Sequence, residues 1–252
     1  MAFDLAWVRS RLPDSRIDWH PSIESTMLEA SRLAAAACHS GTIVGAEEQT
    51  AGQGRHGRAW HSESGSGLYV SIVLRHRFAP NTLPLVTLAL GLAAREAILQ
   101  ATDLVCDLRW PNDVLIQSRK CAGILTQLES SAIIAGIGIN VNHSTFPEEL
   151  TDIATSLRLA THRIHSREQL LVELAGSVDR FCTLLEKEGG EPILAMFSQA
   201  SSFVHGRRVS VDQGHSSLEG TTAGLNSSGF LILQRDDGTK NVILAGGVRP
   251  CS

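Results

Sequence analysis

Apolar and polar positions change rhythm along this chain, and each change marks an element. Residues 26–38 form an alanine-rich amphipathic run that predicts a helix. Ser25 or Thr26 offers the N-cap, and Glu29, three residues after Thr26, suggests a capping box. TIVGA at 42–46 is a short strand, and 47–67 is a polar, glycine-punctuated loop. LYVSIVLR at 68–75 is rich in β-branched residues and predicts another strand. A long helix is expected over 84–102. The apolar stretch 83–105 is interrupted by Arg95, Glu96 and Asp103, which favours a buried helix over a membrane span. Short strands at 107–110 and 113–117 flank a Pro-Asn kink. Strands at 122–129 and 132–141 lie close enough in sequence to pair antiparallel. Helices follow at 167–189 and 192–200. From Phe203 the helical rhythm gives way to alternating runs (RRVSV, GTTAGL, GFLIL, NVILA) separated by Gly, Asn, Ser and Asp. That pattern predicts a small all-β module, a barrel. The expected division is therefore 1–200 and 201–252.

Composition narrows the class. Of 252 residues, 43% are apolar but only 5% aromatic, so aliphatic side chains must fill a sizeable core. Charged residues at 19%, without single-sign runs, argue against disorder. A net charge of -4 speaks against a globally basic nucleic-acid binder, while leaving room for a local basic cleft. Five cysteines, an odd count without any CxxC pair, argue against a disulfide framework or structural zinc and for a reducing compartment. His162 and His165 have helix-like spacing but no third ligand near them in sequence, and are taken as loop histidines. The N-terminus has no apolar signal segment. A soluble, cytoplasmic protein is expected.

Three segments carry candidate chemistry. Gly52-Gln53-Gly54-Arg55-His56-Gly57 fits G-x-G-x-x-G, but a dinucleotide fingerprint needs a helix directly after the glycines, and here loop and strand follow. No P-loop motif occurs. Dense glycines can present backbone N–H groups to an anion, with Arg55 and Arg58 adding charge; an ordinary surface loop is the other reading. Arg109-Trp110-Pro111-Asn112-Asp113 ends a strand, and Lys120 follows seven residues after Asp113. Such a lysine either reaches water or neutralises a buried anion. In IIAGIGINVN, Gly136 and Gly138 interrupt a central-looking strand before Asn140, which marks either a bulge or the close approach of a ligand.

Taken in order, these blocks resemble the biotin protein ligases. EST (24–26), EEQTAGQGRHGRAW (47–60), RWPNDVL (109–115), KCAGIL (120–125) and GIGINVN (136–142) follow the family's signature segments, and the all-β tail is similar to its SH3-like domain. The resemblance implies an α/β (α+β) catalytic domain like those of class II aminoacyl-tRNA synthetases, with a mixed, largely antiparallel sheet, and a small C-terminal SH3-like β-barrel. It implies activation of biotin by ATP and Mg²⁺ to biotinyl-AMP, then transfer to a lysine of a biotin carboxyl carrier domain. Only about twenty residues precede the EST block, too few for the DNA-binding domain of the family's repressors. No DNA or membrane partner is expected, and a homodimer is left open. Alternatives are a lipoate or octanoate ligase on the same fold and a non-catalytic biotin-sensing module.

By the same resemblance, Lys120, Arg55 and Asp113 would be the catalytic residues. Ser25, Thr26, Met27, Gln49, Gln53, Gly54, Arg55 and Lys120 would line the biotin site. Arg55, Arg58, Arg109, Asn112, Lys120 and Asn140 would serve ATP, with Asp113 and Asn140 as magnesium candidates. Asp113 could instead orient or deprotonate the acceptor lysine. The chain departs from the family pattern at Met27, where asparagine is frequent, at Gln53, which replaces an arginine, and at Arg109, which replaces a lysine. No tryptophan follows Trp110.

Overall fold

A computed structural model describes residues 3–78, 82–129, 131–212 and 217–251. Its centre is a seven-stranded sheet of order β1-β2-β3-β7-β6-β5-β4. The strands are β1 (Ile17–His20), β2 (Ile43–Ala46), β3 (Gly67–Leu74), β4 (Asp107–Arg109), β5 (Asp113–Ile116), β6 (Arg119–Glu129) and β7 (Ala132–Asn140). Only β1 and β2 run parallel; every other neighbouring pair is antiparallel. The mixed, mainly antiparallel sheet is the one expected.

Helices cover both faces. On one side α3 (Leu83–Thr102) packs with α5 (Arg167–Glu188) and α6 (Gly190–Ala200). Although α3 is long and apolar enough to cross a membrane, Leu88, Ala89, Leu90, Ala93 and Ile98 are fully buried in the core. Its partner α5 starts at Ser166, whose side chain accepts from Gln169 N–H. It stops at Gly189, whose φ of 79° suits glycine and turns the chain straight into α6. On the opposite face α2 (Thr26–Ala35) buries Met27, Ala30, Leu33 and Ala34 against Val44, Val73, Ala132 and Ile134. The expected capping box is absent. Ser25 is the N-cap, so the third helical residue is Leu28, and Glu29 instead makes a bidentate pair with Arg32 one turn on.

Three elements are not predicted by the sequence pattern. The short α1 (Leu5–Arg11) is capped by Asp4, and β1 adds an edge to the sheet. A five-residue helix, α4 (Leu157–Thr161), precedes α5.

The C-terminal strands β8 (His205–Asp212), β9 (Ser217–Leu225), β10 (Leu231–Gln234), β11 (Lys240–Ile243) and β12 (Gly247–Pro250) form one antiparallel sheet of order β11-β10-β9-β8-β12. A closed barrel was expected. Among the described residues β11 and β12 stay unpaired edges, so the sheet is open. Its inward residues Val209, Val211, Leu231, Leu233, Ile243 and Val248 join the same continuous core as α3 and α6. Trp110, joined to Pro111 by a cis peptide, ties the two sheets by donating from Nε1 to the Gly229 carbonyl at 2.9 Å.

Candidate active site

Strand alternation dictates where a pocket opens. On the α2 face of the sheet the apolar residues Val73, Ala132 and Ile134 are succeeded by Ser71, Tyr69, Gly136 and Gly138. Register sets Tyr69, Gly138 and Gly123 in one row and Ser71, Gly136 and Leu125 in the next. β7 runs through both glycines in unbroken register, so no bulge explains them. They make room for side chains instead. A Cβ on Gly138 would sit 2.5 Å from Trp60, one on Gly136 2.7 Å from Met27 Sδ, and one on Gly123 2.8 Å from Lys120 Nζ. Above this flat floor lies a pocket of about 470 Å³.

One end of the pocket is polar but uncharged. Thr26 donates from both its backbone N (2.9 Å) and Oγ1 (3.0 Å) to Gln49 Oε1, and its hydroxyl also meets Ser71 Oγ at 2.8 Å. Gln49 Nε2 donates to Ser62 Oγ at 3.3 Å. Ser25 and Thr26 are buried at the start of α2, and the Ser25 hydroxyl caps no helix N–H. Met27, on the same turn, offers an apolar wall over Gly136.

The other end is charged. Lys120 is the second residue of β6, at the start of the strand as expected, with its N–H donated to Ile153 and its carbonyl accepting from Thr155. Its Nζ is 2.5 Å from Asp113 Oδ1 and 5.3 Å from the Trp60 ring centroid. Arg109 grips the other oxygen of Asp113 through Nε (3.2 Å) and Nη2 (2.7 Å). Burial alone would raise the Asp113 pKa. The charges and hydrogen bonds of Lys120 and Arg109 outweigh it and hold the carboxylate below its usual range. Asn112 donates to the Ile124 carbonyl and accepts from Arg55 Nη1 at 3.1 Å. Arg55 also donates to the Gly246 carbonyl at 3.3 Å. Burial lowers its pKa, with Asp113 opposing, and a guanidinium stays charged regardless.

The glycine-rich loop is folded over this end. Gly54 N–H donates to Arg58 O (2.7 Å) and Trp60 N–H to Gly52 O (2.9 Å). Left-handed His56 (φ 58°) and Gly57 (φ 71°) close a 3-10 turn at Arg55–Gly57.

Most of the expected site residues converge. Ser25, Thr26, Met27, Gln49, Gln53, Gly54, Arg55, Asn112 and Lys120 all line the pocket. Arg109 and Asp113 stand behind Lys120. Two residues lie elsewhere. Arg58 points to Asp212 of the C-terminal sheet at 3.6 Å. The Asn140 amide donates to the carbonyls of Thr155 (3.1 Å) and Lys120 (3.5 Å), bracing the lysine's strand from outside the pocket. A magnesium cage fits these residues poorly. Asp113 already shares both oxygens between two cations, and the Asn140 amide nitrogen faces main chain. Trp60 and Ser71 were not anticipated. Their signal lay in strand register: a glycine pair directly opposite, Gly123 and Gly138, leaves a seat for a flat ring.

The family model described as biotin/lipoate A/B protein ligase matches residues 19–144, and that of the biotin protein ligase C-terminal domain matches 204–248. A bifunctional ligase/repressor of Bacillus subtilis is 31% identical over 94% of this chain and 75% of its own length. A biotin–[acetyl-CoA-carboxylase] ligase of Paracoccus denitrificans is 31% identical over 89% and 96%. The Aquifex aeolicus biotin protein ligase, solved with biotin and ATP, superposes with a TM-score of 0.84 at 29% identity, covering 94% of this chain and 99% of that one.

Proposed function

This chain belongs to the biotin protein ligases, which activate biotin with ATP and transfer it to a protein lysine, and from that premise we propose how its pocket divides the work. The carrying observation is a single pocket with an uncharged hydrogen-bonding relay at one end and Lys120 at the other. The relay of Thr26, Gln49 and Ser71, with Ser25 beside it, suits a neutral ureido ring. Lys120 suits the biotin carboxylate.

In the first step a carboxylate oxygen of biotin attacks the α-phosphorus of ATP, and pyrophosphate leaves. Two anions must meet. At about 4 Å and an effective dielectric of about 20, their repulsion is about 4 kcal/mol. Lys120 and Arg55 offset it from fixed positions, which spares reorganisation during the reaction. Asp113 and the face of Trp60 hold the Lys120 ammonium in place. A carboxylate shared by two cations and held below its usual pKa is a weak base, so Asp113 works by positioning Lys120. In the second step the acceptor amine attacks the mixed anhydride and AMP leaves. Arg55 and the Gln53 amide close over the intermediate and keep water away, while the Gly54 N–H is engaged by the Arg58 carbonyl and holds the loop's shape.

An adjoining groove of about 600 Å³ shares Arg55, Ile124 and Leu125 with the first pocket and is walled by Trp110, Pro111 and Phe230. We assign the nucleotide to it, with Arg109 and Asn112 at the phosphate end. Magnesium enters as the companion of the nucleotide phosphates. The carboxyl carrier domain of a carboxylase is the proposed acceptor. A cytoplasmic site of action goes with it, supported by five free cysteines. The segment 201–252 backs the loop as one unit through Gly246 and Asp212.

Pyrophosphate release tests this reading. With ATP and Mg²⁺, release should follow added biotin, and labelled biotin should then appear on a carboxyl carrier domain. Release with lipoate but not biotin would overturn the assignment.

A further inference from the structure

Behind the pocket wall, side chains from two distant stretches of sequence meet. His61 and Glu63 follow the glycine-rich loop, and His143 lies just past β7. One nitrogen or carboxylate oxygen from each lies within 4.8 Å of the other two. His143 is fully buried, His61 half-buried and Glu63 exposed.

Neighbours fix the tautomer of His143. The Tyr69 hydroxyl has one proton and donates it to the Glu63 carbonyl oxygen at 3.0 Å. Its 3.1 Å contact with His143 Nε2 therefore has the imidazole as donor. With that proton on Nε2, Nδ1 of the neutral ring carries a bare lone pair. This nitrogen is buried and has no hydrogen-bond partner. Buried polar atoms without partners are rare and call for a ligand or a cost. The His143 backbone is pinned as well, because Ser156 Oγ donates to its carbonyl at 2.7 Å. Its ring stacks on Phe146 at 5.1 Å, and His61 meets the same Phe146 edge-on at 6.3 Å.

We propose that His61, Glu63 and His143 form a binding site for a divalent transition metal of the zinc class. Two imidazoles and one carboxylate favour zinc, cobalt or nickel over calcium or magnesium. The Nε2–H bond to Tyr69, anchored in turn on the main chain of Glu63, is the outer hydrogen bond that orients a metal-bound histidine. Bonds of about 2.0–2.1 Å to a tetrahedral ion bring its ligands to about 3.3–3.5 Å from one another. The group must therefore contract. His61 and Glu63, on the accessible side, supply the movement while His143 stays fixed. A bound ion would fasten the 61–66 segment to the end of β7. Trp60, next to His61, would then be braced at the pocket wall. The site is separate from the magnesium that accompanies ATP.

The probe is zinc itself. Chelator-stripped full-length protein is dialysed against micromolar zinc and the bound metal counted, for wild type, His61→Ala and Glu63→Gln, with circular dichroism confirming each fold. One zinc per chain is expected in wild type, with affinity weakened at least about tenfold in either variant. A cobalt-substituted sample should show nitrogen and oxygen ligation. No zinc on wild type, full zinc on both variants, or a thiolate charge-transfer band with cobalt would overturn the proposal.

Discussion

The two ends of the pocket are built by opposite means. At the relay end, Thr26, Gln49 and Ser71 hold one another through hydrogen bonds of 2.8–3.0 Å with no charge among them. At the other end, Lys120, Asp113 and Arg109 form a compact ionic triad, roofed by Trp60 and flanked by Arg55. On the proposed assignment, the contrast follows from what each end would do. A neutral ring keeps its charge throughout a reaction, so contacts to it are equally strong before and during the chemistry and contribute to binding. Charge builds up only around the carboxylate and phosphate. Fixed cations there gain strength in the transition state and contribute to rate.

The largest effect is expected from Lys120→Met, which keeps most of the side chain's length and removes its charge. Biotin-dependent pyrophosphate release should fall by about 10²–10³-fold, the usual cost of removing one preorganised electrostatic group. Near-normal release would end the assigned role.

A smaller effect of a different kind is expected from Thr26→Val, which removes the relay's central hydroxyl at constant volume. Gln49 and Ser71 each lose a partner in a buried setting, at about 1–2 kcal/mol. The KM for biotin should rise about 5–30-fold while kcat stays within about twofold. If kcat fell as far as in Lys120→Met, the two ends would not be doing separate jobs.

The chain's residue types revealed the charged end more readily than the relay. Lys120, Arg55, Asn112 and Asp113 stand in short motifs whose chemistry is local, and the structure brings them together. Ser71 and Trp60 were hidden because their importance arises from pairing across strands. Ser71 faces Thr26 across 45 positions of sequence, and Trp60 lies on Gly138, whose row is set only when β3, β7 and β6 align. The same limit hid His143, which meets His61 only after the sheet forms. Helix α3 was legible because a mainly apolar run of 20 residues needs no long-range information. β1 was not, since a four-residue edge strand is defined by its parallel partner. The capping box failed by a single position: Ser25 rather than Thr26 took the cap, and Glu29 turned to Arg32. Closure of the C-terminal sheet likewise depends on β11 meeting β12, which no local pattern encodes.

Arg58 sits at the edge of the charged end, beside the C-terminal sheet. Motif position alone assigns it to ATP phosphate, whereas its nearest ionic partner is Asp212 at 3.6 Å, with both side chains substantially exposed at 62% and 46%. The two roles differ in size. A guanidinium bonded to phosphate is worth about 1.5–3 kcal/mol, so Arg58→Ala would raise the KM for ATP by more than about tenfold. An exposed ion pair that helps keep the loop shut is worth about 0.2–1 kcal/mol. Its loss should leave the KM for ATP nearly unchanged and speed escape of the activated intermediate by at most about fivefold. Salt provides the control. Exposed charges are screened over about 8–10 Å at physiological ionic strength, so wild type at high salt should approach the variant measured at low salt. Labelling of bystander proteins, followed for both at two salt concentrations beside the ATP titration, separates the readings. A large change in the KM for ATP would move Arg58 from the rim of the loop into the charged end itself.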